Sequence, residues 1–399
     1  VTRFGHAMEK IDERIPGVDL PLMSVSQTRG VIRRSELTDA PQRAESLDNY
    51  KVCRTNDIVF NKMSIRSGAM GVAAEDGLVT YHYEVMRPRE GTDPRFIAYL
   101  MKSSWFTEEL IKRERGIGAG DQANVRTTEV PFSALKTIDV YIPNQSEQRA
   151  IANYLDRETV RIDTLIEEQR RLIEMLRERR TAVIAHATSK GTEVEFRRVI
   201  TALRQGWSPN CENWPADGVT EWGVLKVGCA NTGRFQPAEN KRLPDDENPR
   251  PEFALRRGEL VMSRSNTKDL VGAAAVVDDD YPRLLLSDLT YGISLASDAD
   301  PVFVAFALGS PAIRVQISAA SKGMSHTMQK ISQRDIRELR IRLPDPDEQH
   351  RIATYLDEQT AKIDTLIAEA ERFIELSKER RAALVTAAVT GQVDVRELV

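Results

Sequence analysis

Apolar residues recur at alternating spacings of three and four along two stretches of this 399-residue chain. The first series is Ile162, Leu165, Leu172, Leu176 and Val183, with Gln169 and Arg179 as polar interruptions. The second is Ile363, Leu366, Ala370, Phe373 and Leu384. This period predicts two long helices, each with a coiled-coil seam. Both open with a capping signal. Asn144 or Asp345 can accept hydrogen bonds from free backbone N–H groups, and Glu147 or Glu348 three residues on can reach back. Pro346 falls at a first helical position, where its missing N–H costs nothing. Neither stretch is then broken by Pro or Gly until about residue 188 or 389. Roughly 44 residues at about 1.5 Å each would span about 65 Å. Two such striped helices most simply pack on each other; the alternative is a solvated hairpin within one domain.

The two stretches are copies. Residues 144–189 align without a gap to residues 345–390, with about half the positions identical. The likeness continues upstream in short blocks. Asp93–Tyr99 resembles Asp300–Phe306, Asp57–Phe60 resembles Glu259–Met262, and Gly71–Ala74 resembles Gly272–Ala275. The chain is therefore a tandem duplication of a variable segment followed by a long helix. The variable segments read as mixed: strands at 52–62 and 259–261, helices at 94–113 and 301–317, and a strand returning into each long helix at 130–142 and 336–343. The fold class is α/β (α+β), two small mixed domains and two long helices. Trp105, Trp207, Trp214 and Trp222 read as core rather than base-stacking platforms.

Composition narrows the function. Three cysteines, Cys53, Cys211 and Cys229, are too few for a disulfide framework and read as free thiols in a reducing cytoplasm. No apolar stretch has the roughly 18 residues of a membrane span. Fifty-six basic and 60 acidic residues give a net charge of −4, which argues against a uniformly basic surface but leaves room for local patches. Catalytic signatures are missing. No phosphate-loop pattern occurs, and Gly116–Gly120 lacks the strand and acidic residue of a dinucleotide site. His6, His82, His186, His326 and His350 show no metal-ligand spacing. His186 and His350 read as surface residues, and Asp278-Asp279-Asp280 as a turn. No catalytic residue and no metal ligand is assigned.

Three short polar loops recur in both copies, and their side chains can contact phosphates or base edges. The first holds Gln27 and Arg29, matched by Asn231 and Arg234. The second holds Lys62, Ser64 and Arg66, matched by Arg264, Asn266 and Lys268. The third holds Gln122, Asn124 and Arg126, matched by Lys322, Ser325, His326, Gln329 and Lys330. Arg264 and Asn266 suit base contacts, because each can make two hydrogen bonds to one base. Lys62 and Lys268, as flexible point charges, suit phosphates. The competing role for Arg264 is bracing an acid such as Asp269. Corresponding loops with different residues suggest one scaffold reading two targets.

This arrangement resembles the specificity subunit of type I restriction–modification systems. The resemblance is carried by Ile142-Pro143 and Leu343-Pro344, Glu147-Gln148 and Glu348-Gln349, and Ile151 and Ile352. It continues in Leu155-Asp156 and Leu356-Asp357, and in the Ile-Asp-x-Leu-Ile blocks at Ile162 and Ile363. Thr390–Val395 looks like that family's usual end; Ser189–Val194 departs from it. The resemblance implies target recognition domains at 1–142 and 191–343. It implies spacer helices at 143–190 and, with the C-terminal tail, at 344–399. The helices would form an antiparallel coiled coil with pseudo-twofold symmetry. It implies a non-catalytic, cytoplasmic, non-membrane subunit that reads a bipartite, asymmetric site in double-stranded DNA. Such a subunit docks two methyltransferase subunits, which carry the S-adenosylmethionine, and a motor-nuclease subunit can join. The alternatives are a coiled-coil scaffold without DNA readout and an autonomous methyltransferase. The second lacks the Asp/Asn-Pro-Pro-aromatic block of amino-methyltransferases.

Overall fold

The computed structural model of the chain describes residues 1–39, 46–113, 130–323 and 328–395. The chain divides into two units: Val1–Gln169 with Arg372–Val399, and Arg170–Glu371. The long helices run Gln145–Ala187 and Pro346–Val389, so each unit receives one segment of each.

In the first unit, four strands lie in the spatial order Met8–Ile11, Tyr83–Pro88, Ile58–Asn61, Met70–Val72. All pairings are antiparallel, with Val59 opposite both Val85 and Gly71. Helices Pro94–Lys102 and Ser104–Ile111 cover one face and bury Phe96, Leu100 and Phe106 with Phe4 and Phe60. Leu155, Val385 and Ala388 of the long helices join this core.

The second unit repeats the plan. Its central sheet has the order Ile200–Gln205, Thr290–Leu295, Leu260–Ser263, Ala274–Val276, again antiparallel, with Val261 opposite Gly292 and Ala275. Helices Pro301–Gly309 and Pro311–Ala320 bury Phe303, Val304 and Ile317 against Phe196 and Tyr291. Ile184, Ile352 and Leu356 belong to this core. The turn before the central strand recurs too: Asn56 (φ 72°) and Gly258 (φ 81°) occupy the left-handed region, which Asn and Gly tolerate best.

Several expectations are refined. The stretches 94–113 and 301–317 are each two helices, broken at Ser103 and at Ser310. Buried Ser103 ends one helix, donating to Leu100 O at 2.7 Å, and caps the next by accepting from Phe106 N. The stretch 52–62 is two strands, Lys51–Cys53 and Ile58–Asn61, because Arg54–Asp57 form a turn. Trp105, Trp207 and Trp222 pack against apolar clusters, but Trp214 is exposed. Cys53 and Cys229 are buried, Cys211 is half-buried, and all three are free thiols. His186 and His350 are exposed.

The helix seam is shifted by one position from part of the expected series. Ile162, Ile166, Ile173, Leu176 and Ile184 are buried, as are Ile363, Ala370, Ile374 and Val385. Leu165, Leu172, Leu366 and Phe373 lie outside, 37% to 48% exposed. Both series start at Ile162 and pass through Leu176 with spacings of three and four, so the pattern alone does not separate them. The two are heptad series of the same average period and differ only in phase, so which stripe faces the partner helix is set by packing and not by the spacing. The pairing is antiparallel within the second unit: Arg180 meets Asp364 at 3.0 Å and Arg177 meets Glu371 at 3.6 Å. In the first unit Asp163 meets Arg381 at 3.0 Å.

The start of each long helix is tied to its unit by one glutamine. Gln148, 1% exposed, donates to Pro143 O at 2.8 Å and Gly91 O at 3.0 Å, and accepts from Asp93 N at 2.8 Å. Gln349, fully buried, does the same with Pro344 O at 2.9 Å, Asp298 O at 3.1 Å and Asp300 N at 2.9 Å. Asp93 and Asp300 are themselves N-caps of the helices that start at Pro94 and Pro301. The expected caps form as well: Asn144 and Asp345 accept from Glu147 N and Glu348 N at 3.0 Å.

Candidate nucleic-acid interface

In the second unit the described parts of the three recurrent loops are joined to one another. The chain leaves the central strand at Ser263, passes Arg264, and makes a short strand, Ser265–Asn266. That strand pairs antiparallel with Gln329–Lys330 of the third loop. Lys330 in turn bridges Lys322, each N–H bonding to the other's carbonyl at 2.9 Å. Directly opposed residues of an antiparallel pair project to the same face, roughly 5 Å apart. Lys322 and Lys330 are both exposed, and neither ammonium group has an ion-pair partner among the described residues. The first loop is attached through Asn231, whose Oδ1 accepts from Asn266 Nδ2 at 3.0 Å.

Beside this ribbon lies a cleft of about 520 Å³ lined by Arg264, Tyr291, Lys322, Lys330, Arg334 and Asp335. Its acids are engaged locally. Asp335 closes a capping box with Ser332, and Glu338 receives Arg334 at 2.8 Å. Arg264 donates to Asp288 O at 3.0 Å, so its brace is a backbone carbonyl and not Asp269. Tyr291, which donates to Ile331 O, has its hydroxyl pKa raised by burial, with the neighbouring Arg264 opposing the rise. Lys268 is exposed at the rim of the second loop. Arg334 is a member of the cleft that the loop comparison passed over. Its signal was the basic run through residues 311–342, which recurs less clearly in the first copy.

Asn266 is more committed than its sequence position suggests. Its amide donates to Asn231 and to Ser263 Oγ at 3.2 Å, and accepts from Thr267 N at 2.9 Å. Arg234 faces elsewhere: its guanidinium lies 3.5 Å from Asp357 on the second long helix. Gln329 is half-buried opposite Asn266.

The first unit joins its first two loops in the same way. Gln27 Nε2 donates to Ser67 Oγ at 2.9 Å, and Ser67 donates to Ser64 O at 2.9 Å. Ile65, buried, anchors the second loop, and Lys62 and Arg66 are half-buried beside it. Arg29 is held by Glu36 at 2.7 Å, with both ends half-exposed. Gln122, Asn124 and Arg126, and in the second unit Ser325 and His326, lie outside the described residues. No group of His, Cys, Asp and Glu able to hold a metal occurs among the described residues. No single described helix is long and apolar enough to cross a membrane.

A solved structure described as showing the complex assembly and conformational transition of the type I restriction–modification system superposes with a TM-score of 0.74. It covers 98% of this chain and 97% of that one at 15% identity. The HsdS subunit from Thermoanaerobacter tengcongensis superposes at 0.57, covering 98% and 96% at 17% identity. By sequence, the specificity subunit of the type I restriction enzyme EcoEI from Escherichia coli is 26% identical over 192 residues. The chain is similar in sequence to the type I specificity subunits and shares their fold. The EcoKI specificity subunit of Escherichia coli strain K12 is 23% identical over 331 residues. These matches cover 48% and 77% of this chain, and only 32% and 67% of the two relatives' own lengths. No family model matches. In this specificity-subunit fold, the Glu-Gln blocks that carry the resemblance have a structural explanation, the buried glutamine latch.

Proposed function

We propose that the chain is the non-catalytic DNA-reading subunit of a type I restriction–modification complex, each unit reading one half of a bipartite, asymmetric site. The observation that carries this is the convergence of the recurrent loops. Residues far apart in sequence form one ribbon, on which exposed Lys322 and Lys330 have no ion-pair partner among the described residues. Such a surface suits a polyanion. Lys322, Lys330 and Lys268 serve as phosphate contacts, Arg334 joins them only if DNA displaces Glu338, and Arg264 serves as the base reader of the second unit. Asn231 and Asn266 read base edges only by exchanging their mutual hydrogen bond for one to a base. Gln27, Lys62, Ser64 and Arg66 serve the first unit, with Gln122, Asn124 and Arg126 completing it, as Ser325, His326 and Gln329 complete the second. Arg29 and Arg234, held by Glu36 and Asp357, join only if DNA displaces those acids.

Catalysis and S-adenosylmethionine belong to partner methyltransferase subunits, two per complex, with a motor-nuclease subunit as an optional addition in the cytoplasm. Exposed apolar residues on the long helices, among them Leu172, Met175 and Leu366, supply area for such docking. Two methyltransferases on two similar units match the duplication.

The test exchanges residues 196–342 for those of a relative with a different site and maps methylated bases in host DNA. One half-site should change and the other stay. Both changing together, or neither, refutes the assignment of one unit to one half-site.

A further inference from the structure

The second unit contains a cavity of about 480 Å³, with Ile184, Val302 and Phe306 in its apolar floor and Asp269, Asp278 and Asp357, together with Arg180, Arg234 and Arg314, in its polar walls. The duplication shows what fills the corresponding place in the first unit. By the alignment of the two copies, Val302 corresponds to Arg95, Phe306 to Tyr99 and Gly309 to Lys102. In the first unit Arg95 donates to Asp156 at 2.8 Å and Tyr99 donates to the same carboxylate at 2.7 Å. Burial pushes the Lys102 ammonium below the usual lysine range; Arg381 adds to this and Asp163 opposes it. All three side chains are supplied from one helix, Pro94–Lys102.

The acidic side of this arrangement survives in the second unit, but its basic side does not. Asp357 stands where Asp156 stands, and Asp364 where Asp163 stands. The nearby arginines are occupied or distant. Arg180 is paired with Asp364 at 3.0 Å. Arg314 donates to the carbonyls of Val271 and Asp269 at 2.7 and 3.0 Å. Arg234 reaches Asp357 only at 3.5 Å, with both ends more than half exposed. Neither Asp269 nor Asp278 forms an ion pair among the described residues. Asp357, with one solvent-exposed arginine contact in place of the first unit's two donors from a single helix, thus stands above an apolar floor, in a space large enough for a small ligand.

We propose that this cavity binds a guanidinium or ammonium group carried on an apolar stem, the chemistry that Arg95, Tyr99 and Lys102 supply internally in the first unit. The stem lies on Val302 and Phe306, and the cation meets Asp357. This goes beyond DNA reading and does not depend on it. The cation comes either from a free small amine or from a basic side chain of another polypeptide.

The experiment is calorimetric titration of the full chain with agmatine, phenethylamine and acetyl-Phe-Arg-amide, with 3-phenylpropionate as the anionic control. The blocking variant is Val302→Arg/Phe306→Tyr/Gly309→Lys, which rebuilds the first unit's filling. An added Cβ at Gly309 meets nothing within 4 Å, so the site admits the lysine. The expected result is saturable binding of the cations but not the anion, weakened at least about tenfold in the blocking variant. Asp357→Asn, at a side chain more than half exposed, should weaken binding in the same sense. Tighter binding of the dipeptide amide than of either amine assigns the cation to a polypeptide; the reverse order assigns it to a free amine. Absence of saturable binding at millimolar concentration, or equal binding by wild type and both variants, overturns the proposal.

Discussion

Replacing Gln349 by leucine tests the claim that one buried amide ties the second long helix to its unit. Leucine has nearly the same volume, so packing changes little. What is lost is the amide's three hydrogen bonds, leaving Pro344 O, Asp298 O and Asp300 N without their partner. A buried polar group stripped of its partner costs about 1–3 kcal/mol. Water can reach part of this site once the amide is gone, so about 1 kcal/mol per group is the working figure, or roughly 2–4 kcal/mol in all. For a body of about 200 residues that lowers the melting midpoint by roughly 5–15 °C. Scanning calorimetry of the whole chain measures the shift, and amide hydrogen exchange locates it. Protection should fall first at Asp300 N and through the opening turns of the helix at Pro346. Gln349→Glu sharpens the test. A carboxylate cannot donate to two carbonyls, and its folded-state pKa must rise because the site favours the neutral form. The deficit is therefore largest above that raised pKa and shrinks as pH falls through it, when the protonated form can donate again. A midpoint unchanged in Gln349→Leu, or a Gln349→Glu deficit that grows on acidification within the native range, refutes the latch.

Lys322→Ala with Lys330→Ala should lower the salt slope of DNA binding by about two units while leaving the ranking of cognate and mismatched duplexes unchanged, in anisotropy titrations with the methyltransferase partner present. Arg264→Ala should cost about 1–3 kcal/mol on the cognate duplex and relax one position of one half-site; equal losses on every duplex would assign Arg264 to phosphate instead. Leu172→Glu should leave the melting midpoint nearly unchanged, since this leucine is exposed, but weaken co-purification of the partner subunit. Burial pushes the Cys53 thiol up to about 11 and the Cys229 thiol up to about 12. Iodoacetamide at mildly alkaline pH should therefore label half-buried Cys211 first; equal rates at Cys229 would show that its core opens readily.

The duplication was legible because the two helix copies keep identical residues where contacts are shared, as at Gln148 and Gln349, and at Asp163 and Asp364. The helix limits were legible for the same reason that helices are generally easiest to read: a long period bounded by caps. The seam was not fully legible. Leu165 and Leu172 are as apolar as Ile166 and Ile173, and hydropathy does not say which of two adjacent stripes meets another helix. The loop surface was half legible. Recurrence located the loops, but the pairing of Asn266 with Gln329 and the bond from Asn266 to Asn231 join residues 63 and 35 positions apart. Arg234 shows the limit most plainly. Its loop matched the pattern, yet its nearest acid is on a helix more than a hundred residues away.

One buried pair shows what the scaffold demands and what it leaves free. Asp57 and Glu259 occupy the same position, just before the central strand, and both are almost fully buried. Each needs a cation, because an unpaired buried carboxylate is costly. In the first unit the cation is Arg87, on the strand Tyr83–Pro88, making two bonds of 2.9 Å. In the second it is Arg204, on the strand Ile200–Gln205, reaching the two oxygens at 2.6 and 2.8 Å. The strand carrying Arg204 corresponds to Met8–Ile11, not to Tyr83–Pro88, so the arginine has changed strands while the acid stayed. The fold requires the acid's neutralisation, not a particular donor. The same logic separates the glutamine latch, which bonds only to backbone groups that every copy must have, from the loops, which are joined to one another partly through side chains, as at Asn231 with Asn266 and Gln27 with Ser67. Backbone-directed contacts hold the two units to one plan. Side-chain-directed contacts are where two copies of one unit can come to recognise different partners.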